Sequence, residues 1–301
     1  TALHEGWLTG CKAIAGDTKE NGLFRCFLLT DGLANVGISD PEQIASEAAG
    51  IRENTGISTS TFGIGQDYNE LLLGPMAVAG GGQFHHLRTP DEIFNTFMGE
   101  SGELLSIAAR QVRLEVEVTN NVSFDLISTY WIDSARKSIA LGDLLYDDEQ
   151  HVILKVRFPQ QENLDKHIVR TRLVWLTNEG EQKSDWQNIT FSYASNPTCD
   201  DELRNHEVMH WVGMHEADLA RREAIAHNNR NDLKSARAVL NAKIQLITDF
   251  AENDPDLLAD LGTLQNLEKE TQAAPLAPSV AKEQYYEQQR RSKNKKDYRQ
   301  Q

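Results

Sequence analysis

The sequence predicts an α/β domain with a doubly wound, mainly parallel sheet, then an antiparallel β-sandwich and a C-terminal helical hairpin region. Strand and helix patterns alternate over the first hundred or so residues, which is typical of a parallel sheet. Strict alternation of apolar and polar residues begins after Arg110, and helical spacing dominates from about Asp200. These three observations, together with the linker "AAPLAPS", divide the chain into residues 1–109, 110–197, 198–272 and 273–301.

Each element of the first domain has its own signal. Apolar residues recur at helical spacing over residues 3–15, and a continuous apolar run at 23–29 predicts a buried strand. Asp40-Pro41-Glu42 combines a capping residue, a proline and an acid, the signature of a helix start. The remaining predictions are a strand at 57–63, a helix at about 68–79, a short strand in "GGGQFHHL", and a helix from the capping box at Thr89 to about Ala109.

The later regions follow two other patterns. "VRLEVEV" alternates strictly, and the segments 151–158, 168–176 and 186–193 are further strands separated by turns, so a β-sandwich is predicted. Three helices are then predicted, at about 200–227, 232–252 and 254–271. Their short connections imply antiparallel neighbours. "AAPLAPS" is typical of a linker, and we expect the net-basic tail after it to be disordered and solvated.

Composition limits the classes of partner. The formal net charge of -15 argues against general nucleic-acid binding, which needs a basic surface. The sequence contains no run of about 18 apolar residues, so no membrane span is predicted. The three cysteines fit no zinc pattern and are expected to be free thiols, which favours a reducing compartment such as the cytoplasm. Two Asn-x-Ser/Thr triplets match the acceptor sequence for N-glycosylation, which favours a secreted protein, so the compartment stays undetermined.

An acidic residue, Asp31, ends the apolar strand in "FLLTDG". In an open parallel sheet, ligands bind beyond the carboxyl ends of the strands. A carboxylate buried there needs backbone N–H donors or a hard cation to compensate it. A simple Asp-Gly turn, with Gly32 allowing the chain to reverse, is the other interpretation of the same residues.

Two segments, "LLTDGLANVG" and "STFGIGQDYNELLLGPMAVAGGGQFHHL", resemble the von Willebrand factor type A family. The resemblance includes the opening "TALHEGWLTGCKAI" and covers roughly the first 108 residues. Family members carry a metal-ion-dependent adhesion site built from an Asp-x-Ser-x-Ser motif, a Thr and an Asp. The resemblance implies that Asp31 is this Asp and Thr1 this Thr. The Asp-x-Ser-x-Ser motif would lie upstream of Thr1, so we expect the chain to be a fragment.

The function implied by this resemblance is metal-dependent protein binding without catalysis. A Mg²⁺ ion, or Mn²⁺ or Ca²⁺, held by hydroxyls and few carboxylates stays under-neutralised and can accept an acidic residue of a protein partner. The cofactor is expected only if the upstream motif exists in the full-length protein. A structural module that has lost its metal is a further interpretation. The helical hairpin after the β domain also resembles that of some bacterial relatives.

A separate motif, "HEVMH" at residues 206–210, matches the zinc protease signature H-E-x-x-H. It gives an alternative zinc site in which His206 and His210 ligate the ion and Glu207 acts as the general base. His215 comes one residue too early for the longer form of the motif. The same segment forms an apolar stripe that includes Trp211, which favours an ordinary core-facing helix.

Overall fold

A computed structural model describes residues 2–16, 22–119, 121–133, 137–160, 166–177, 179–293, 295 and 297–300. The first domain has a parallel sheet in the order β1 (Arg25–Thr30), β2 (Ser58–Ile64) and β3 (Gly81–Leu87), with Cys26 opposite Thr59 and Thr61 opposite Phe84. This confirms the predicted α/β class. The elements are α1 (Leu3–Gly16), β1 (Arg25–Thr30), α2 (Pro41–Thr55), β2 (Ser58–Ile64), α3 (Glu70–Ala79), β3 (Gly81–Leu87) and α4 (Pro90–Leu104).

Helices cover both faces of this sheet. On one face, Trp7 of α1, Ile44 of α2 and Leu72 of α3 belong to a single buried cluster that also contains Phe84. On the other face, Phe97 of α4 stacks on Phe27, with ring centroids 5.2 Å apart. Apolar side chains on both sides explain why β1 is predicted from a continuous apolar run rather than from an alternating one.

The predicted helix start near Asp40 is confirmed by its cap. The Asp40 side chain accepts a hydrogen bond from the backbone N–H of Gln43 at 2.8 Å, and Pro41 occupies the first turn. The helix ends at Gly56, whose φ of 75° lies in the left-handed region that favours glycine. Local sequence thus fixes both ends of α2.

The predicted end of α4 near Ala109 is wrong. The helix ends at Leu104, and β4 (Ile107–Val118) begins three residues later. Ile107 pairs with Leu145, and Arg110 pairs with Leu176 on another strand. The hydrogen bonds of these two ladders decide the conformation of residues 107–109, and local helical spacing contains no information about them.

An antiparallel β domain follows, as predicted. The larger sheet has the order β10-β9-β4-β7-β6, with β11 also paired to β9, while β5 and β8 form a second sheet. Val112, Val116, Ile139 and Val169 lie in the core. Several strands are too short for their periodicity to be visible in the sequence. The strands are β5 (Ser123–Leu126), β6 (Trp131–Asp133), β7 (Ser138–Leu145), β8 (Leu154–Arg157), β9 (Lys166–Thr177), β10 (Gly180–Lys183) and β11 (Gln187–Ser192).

The helical region packs through small side chains. Ala217, Ala220 and Ala224 of α6 are fully buried in the cluster that joins it to the next two helices. The helix predicted from about Asp200 begins later, at His206, because Asn205 caps its start by accepting from the N–H of Val208 at 3.0 Å, and a separate short helix ends at Asp200. The helices are α5 (Asn196–Asp200), α6 (His206–Asn229), α7 (Leu233–Ala251), α8 (Pro255–Ala273) and α9 (Pro278–Ser292), and a short 3-10 helix spans Tyr298–Gln300.

The prediction of a disordered tail is wrong for the described residues after 273. Tyr285 and Tyr286 of α9 are 0% and 1% exposed. The Lys282 ammonium lies 2.6 Å from the Glu70 carboxylate, and the Tyr298 hydroxyl donates to Glu103 at 2.6 Å. The basic and aromatic residues of the tail therefore find acidic and apolar partners on the first domain, which is sufficient to order it.

The two edges of the parallel sheet differ. α9 packs against the edge strand β3, where Tyr285 meets Phe84 with ring centroids 5.7 Å apart. Among the described residues, no strand pairs with the outer edge of β1. Leu29 in β1, and Phe94 and Met98 in α4, are 40%, 69% and 59% exposed. The sheet is thus closed on one side and open on the other.

Candidate functional site

The carboxyl ends of the three parallel strands meet at one edge of the sheet. Thr30 lies opposite Gly63, and Ile64 lies opposite Leu87. Asp31 follows β1 directly, and Arg88 follows β3 directly. This edge is where open α/β sheets bind their ligands, so it is the candidate site.

Asp31 occupies a turn that its neighbours stabilise. The buried Thr30 hydroxyl donates to the Gly32 carbonyl at 2.9 Å and accepts from the Gly32 N–H at 3.2 Å. Asp31 itself is exposed, so it ends a buried strand without being buried. Its charge therefore needs no compensating partner, and its carboxylate is accessible to a cation or to another protein.

The described residues supply only part of a cation site at this position. Thr1, the other predicted ligand, lies outside the described residues. Within the part of the chain that the structure describes, Asp31 belongs to no group of three His, Cys, Asp or Glu side chains close enough to hold a metal ion. One carboxylate does not complete the oxygen shell that Mg²⁺ or Ca²⁺ requires. Further ligands would have to be added to Asp31.

A cavity of about 450 Å³ lies at the same edge, between the ends of β2 and β3 and the first turn of α9. His86 lines it and shares a 2.7 Å hydrogen bond between its Nδ1 and the Tyr68 hydroxyl. Burial lowers the pKa of His86 to about 4, so its ring is neutral at pH 7. Glu283, also at the wall, is held by Arg299 at 2.8 Å. The carboxyl edge thus combines an exposed carboxylate with a recess.

A buried ionic cluster lies within the same domain and includes Arg25 at the amino end of β1. The Glu100 carboxylate of α4 lies 2.5 Å from Arg25 and 2.7 Å from the His85 ring, and it accepts from Ser60 at 3.0 Å. Burial alone would raise the pKa of Glu100, but the hydrogen bond from His85 and the charge of Arg25 lower it to about 2. The ionised carboxylate joins one helix to all three strands, a role that sequence analysis did not identify.

The two histidines of "HEVMH" lie in different surroundings. The His206 side chain is 85% exposed, and its Nδ1 is 4.0 Å from a Glu252 oxygen. The His210 Nδ1 is 2.7 Å from Asp254 Oδ2 at the start of α8. Of the groups found among the described residues, the one able to hold a metal joins His210 to Asp254 and Asp256 and omits His206. By its sequence, Asp254-Pro255-Asp256 predicts only the start of a helix, so the proximity of these aspartates to His210 is visible only in the structure.

No protein-family model matches the chain. The uncharacterized protein YfbK of Escherichia coli (strain K12) is 31% identical over 173 residues, which is 55% of this chain and 26% of that protein. The uncharacterized protein sll0103 of Synechocystis sp. (strain ATCC 27184 / PCC 6803 / Kazusa) is 23% identical over 172 residues, 53% of this chain and 40% of that protein. The chain therefore spans well under half of either relative.

Among the described residues, none of the helices combines the length and the apolar character that a membrane crossing requires.

Solved structures cover more of the chain. A von Willebrand factor type A protein from Catenulispora acidiphila superposes with a TM-score of 0.61 at 16% identity, over 92% of this chain and 68% of that one. The human COPII-coat protein Sec24c gives 0.60 at 11% identity, over 98% of this chain and 43% of that one. The likeness extends past the first domain into the β and helical regions. The chain therefore has the fold of von Willebrand factor type A proteins, which confirms the resemblance carried by "LLTDG" and "TFGIG".

Proposed function

We propose that the chain is a non-catalytic protein-interaction module that binds its partner at the carboxyl edge of the parallel sheet. The observation that carries the proposal is the exposed carboxylate of Asp31, at the end of β1 and beside the open edge of the sheet. The fold shared with a von Willebrand factor type A protein supports it. The similarity to a protein whose name places it in a coat also agrees with a role in assembly.

The finer proposal is that binding depends on a divalent cation. Asp31 would supply one carboxylate, and the remaining oxygen ligands would come from Thr1 and from an Asp-x-Ser-x-Ser motif upstream of Thr1, at the end of a strand that pairs with the open edge of β1. Mg²⁺ held in this way keeps a coordination position for an acidic side chain of the partner. If no such ion binds, the module would act through its surface alone, which is the structural alternative.

Two matched variants test this proposal. The full-length protein, with any residues encoded upstream of Thr1, and its Asp31→Ala variant are assayed for partner capture in Mg²⁺ and in chelator. Asp185→Ala, which removes an equally exposed carboxylate from the β domain, serves as the control. We expect Asp31→Ala to weaken Mg²⁺-dependent capture at least ~10-fold, equivalent to about 1.4 kcal/mol. Partner capture that is unchanged by the chelator and by Asp31→Ala would contradict metal dependence and favour the structural alternative.

A further inference from the structure

A group of three side chains of metal-ligand type lies far from Asp31 in the sequence, where α6 meets the turn between α7 and α8. His210 comes from α6, whereas Asp254 and Asp256 open α8. One ligand atom from each of the three side chains lies within 4.8 Å of the other two. Because the residues belong to different elements, tertiary packing and not chain connectivity brings them together.

The Asp254 carboxylate is held in a fixed orientation. Its Oδ1 accepts hydrogen bonds from the backbone N–H groups of Asp256 and Leu257, at 3.0 and 3.1 Å, as the cap of α8. Its Oδ2 points toward His210 at 2.7 Å. Because hydrogen bonds to one oxygen already orient this carboxylate, it loses little conformational entropy when its other oxygen binds a metal.

The His210 ring is also positioned by its neighbours. It packs edge-on against Trp211, with ring centroids 4.8 Å apart. Trp211 in turn stacks on His151 at a centroid distance of 3.4 Å. The His210 side chain is 23% exposed and that of Asp254 is 25% exposed, so a metal ion in solvent can reach the pair.

We propose that His210, Asp254 and Asp256 bind a divalent transition-metal ion, with Zn²⁺ as the expected occupant. Two carboxylates and a neutral imidazole balance the charge of the ion, and mixed imidazole and carboxylate ligands suit zinc better than magnesium. Water would complete the coordination. Zinc bonds of about 2.0–2.2 Å place tetrahedral ligands roughly 3.4 Å apart, so the His210–Asp254 pair must open slightly and the exposed Asp256 must swing inward.

This site replaces the one that "HEVMH" suggests by itself. Both histidines face carboxylates of the turn between α7 and α8, His206 toward Glu252 and His210 toward Asp254. Only His210 belongs to the three-ligand group. The ion would tie α6 to α8 beside the contact between Trp211 and His151, where the helical region meets the β domain.

Zinc titration of the tag-free, chelator-treated chain tests the proposal by calorimetry, with Co²⁺ absorption as a spectroscopic probe. We expect one saturable Zn²⁺ site per chain, weakened more than ~10-fold by His210→Ala and by Asp256→Asn. Asp256→Asn keeps the Asp254 cap of α8 intact, so it tests the ligand without removing the helix start. Circular dichroism checks that both variants stay folded.

His206→Ala and Asp31→Ala are the matched controls, and we expect both to bind Zn²⁺ as the parent chain does. Their behaviour separates this site from the H-E-x-x-H interpretation and from the proposed function at the sheet edge. Three results would overturn the proposal: no saturable zinc binding, unchanged binding by Asp256→Asn, or loss of binding in His206→Ala while Asp256→Asn retains it.

Discussion

His215 is a polar residue in a position that suits an apolar one. Its side chain in α6 is almost fully buried, and neither ring nitrogen has a hydrogen-bond partner among the described residues. The backbone of His151 is close but outside hydrogen-bond geometry. Burial lowers the pKa of His215 to about 4, so the ring stays neutral at pH 7. Its two unpaired nitrogens cost free energy that an apolar side chain would not.

We therefore expect His215→Leu to stabilise the protein by about 1–2 kcal/mol at pH 7, because it removes buried polar atoms that have no partner. Urea unfolding of the variant and the parent chain measures the difference. His210→Leu is the control and should destabilise, since it removes the hydrogen bond to Asp254. A loss of stability in His215→Leu would mean that the ring has a partner that supports the fold.

At the scale of elements, α9 is the helix that the sequence pattern did not predict, because its residues were expected to form a disordered tail. It lies against β3 and α3 through Tyr285, whose side chain is fully buried. A Cβ added at Gly74 of α3 would come within 2.4 Å of the Tyr285 hydroxyl oxygen. Glycine at this position lets the tyrosine ring lie directly on the helix. The contact joins α9 to the first domain.

We expect Tyr285→Ala to lower the free energy of unfolding by about 3–5 kcal/mol, the usual cost of truncating a large buried aromatic side chain. Gly74→Ala should also destabilise the protein. The double variant should lose less stability than the two single losses combined, because both changes disturb the same contact. Denaturant titration of the single and double variants measures this. Tyr146→Ala, at a side chain 73% exposed, should change stability little. Full additivity would contradict the contact.

At the scale of the whole molecule, the first domain, the β domain and the tail meet around Lys293. Arg52 of α2 pairs with Asp143 of β7 at 2.6 Å, and Lys295 pairs with Asp148 at 2.9 Å. Lys293 is buried between them and donates to the Gly82 carbonyl at 3.4 Å. Burial is the main reason that its pKa falls to about 7. The charges of Lys295, Arg52 and Arg25 also lower it, and that of Glu100 raises it.

This lowered pKa predicts how stability depends on pH. The unfolded chain holds the proton of Lys293 up to a pKa of about 10.4, so above pH 7 the unfolded state binds more protons than the folded state. The free energy of unfolding should therefore rise with pH, by about 3 kcal/mol between about pH 7 and 9.5, as the buried charge is lost. Chemical denaturation at several pH values measures the rise.

Lys293→Met should be more stable than the parent chain at pH 7 and should lack most of this rise. Lys234→Met is the matched control. Lys234 is exposed in α7, so its replacement should leave the pH dependence unchanged. A stability that falls over this range in the parent chain, or an equal rise in Lys293→Met, would show that another group controls the pH dependence.

The sequence by itself determined the α/β class of the first domain, the antiparallel β domain, and the position of Asp31 after β1. Strand periodicity, helix caps and turn residues are local signals, and here they agree with the fold. Only the tertiary structure decided where α4 gives way to β4, what orders the tail, and which residues join His210. Each of these depends on partners distant in the chain, Leu145 and Leu176 for β4, Glu70 for the tail and Asp254 for His210. Pairing energies of this kind arise only when the chain is folded, so no local pattern encodes them.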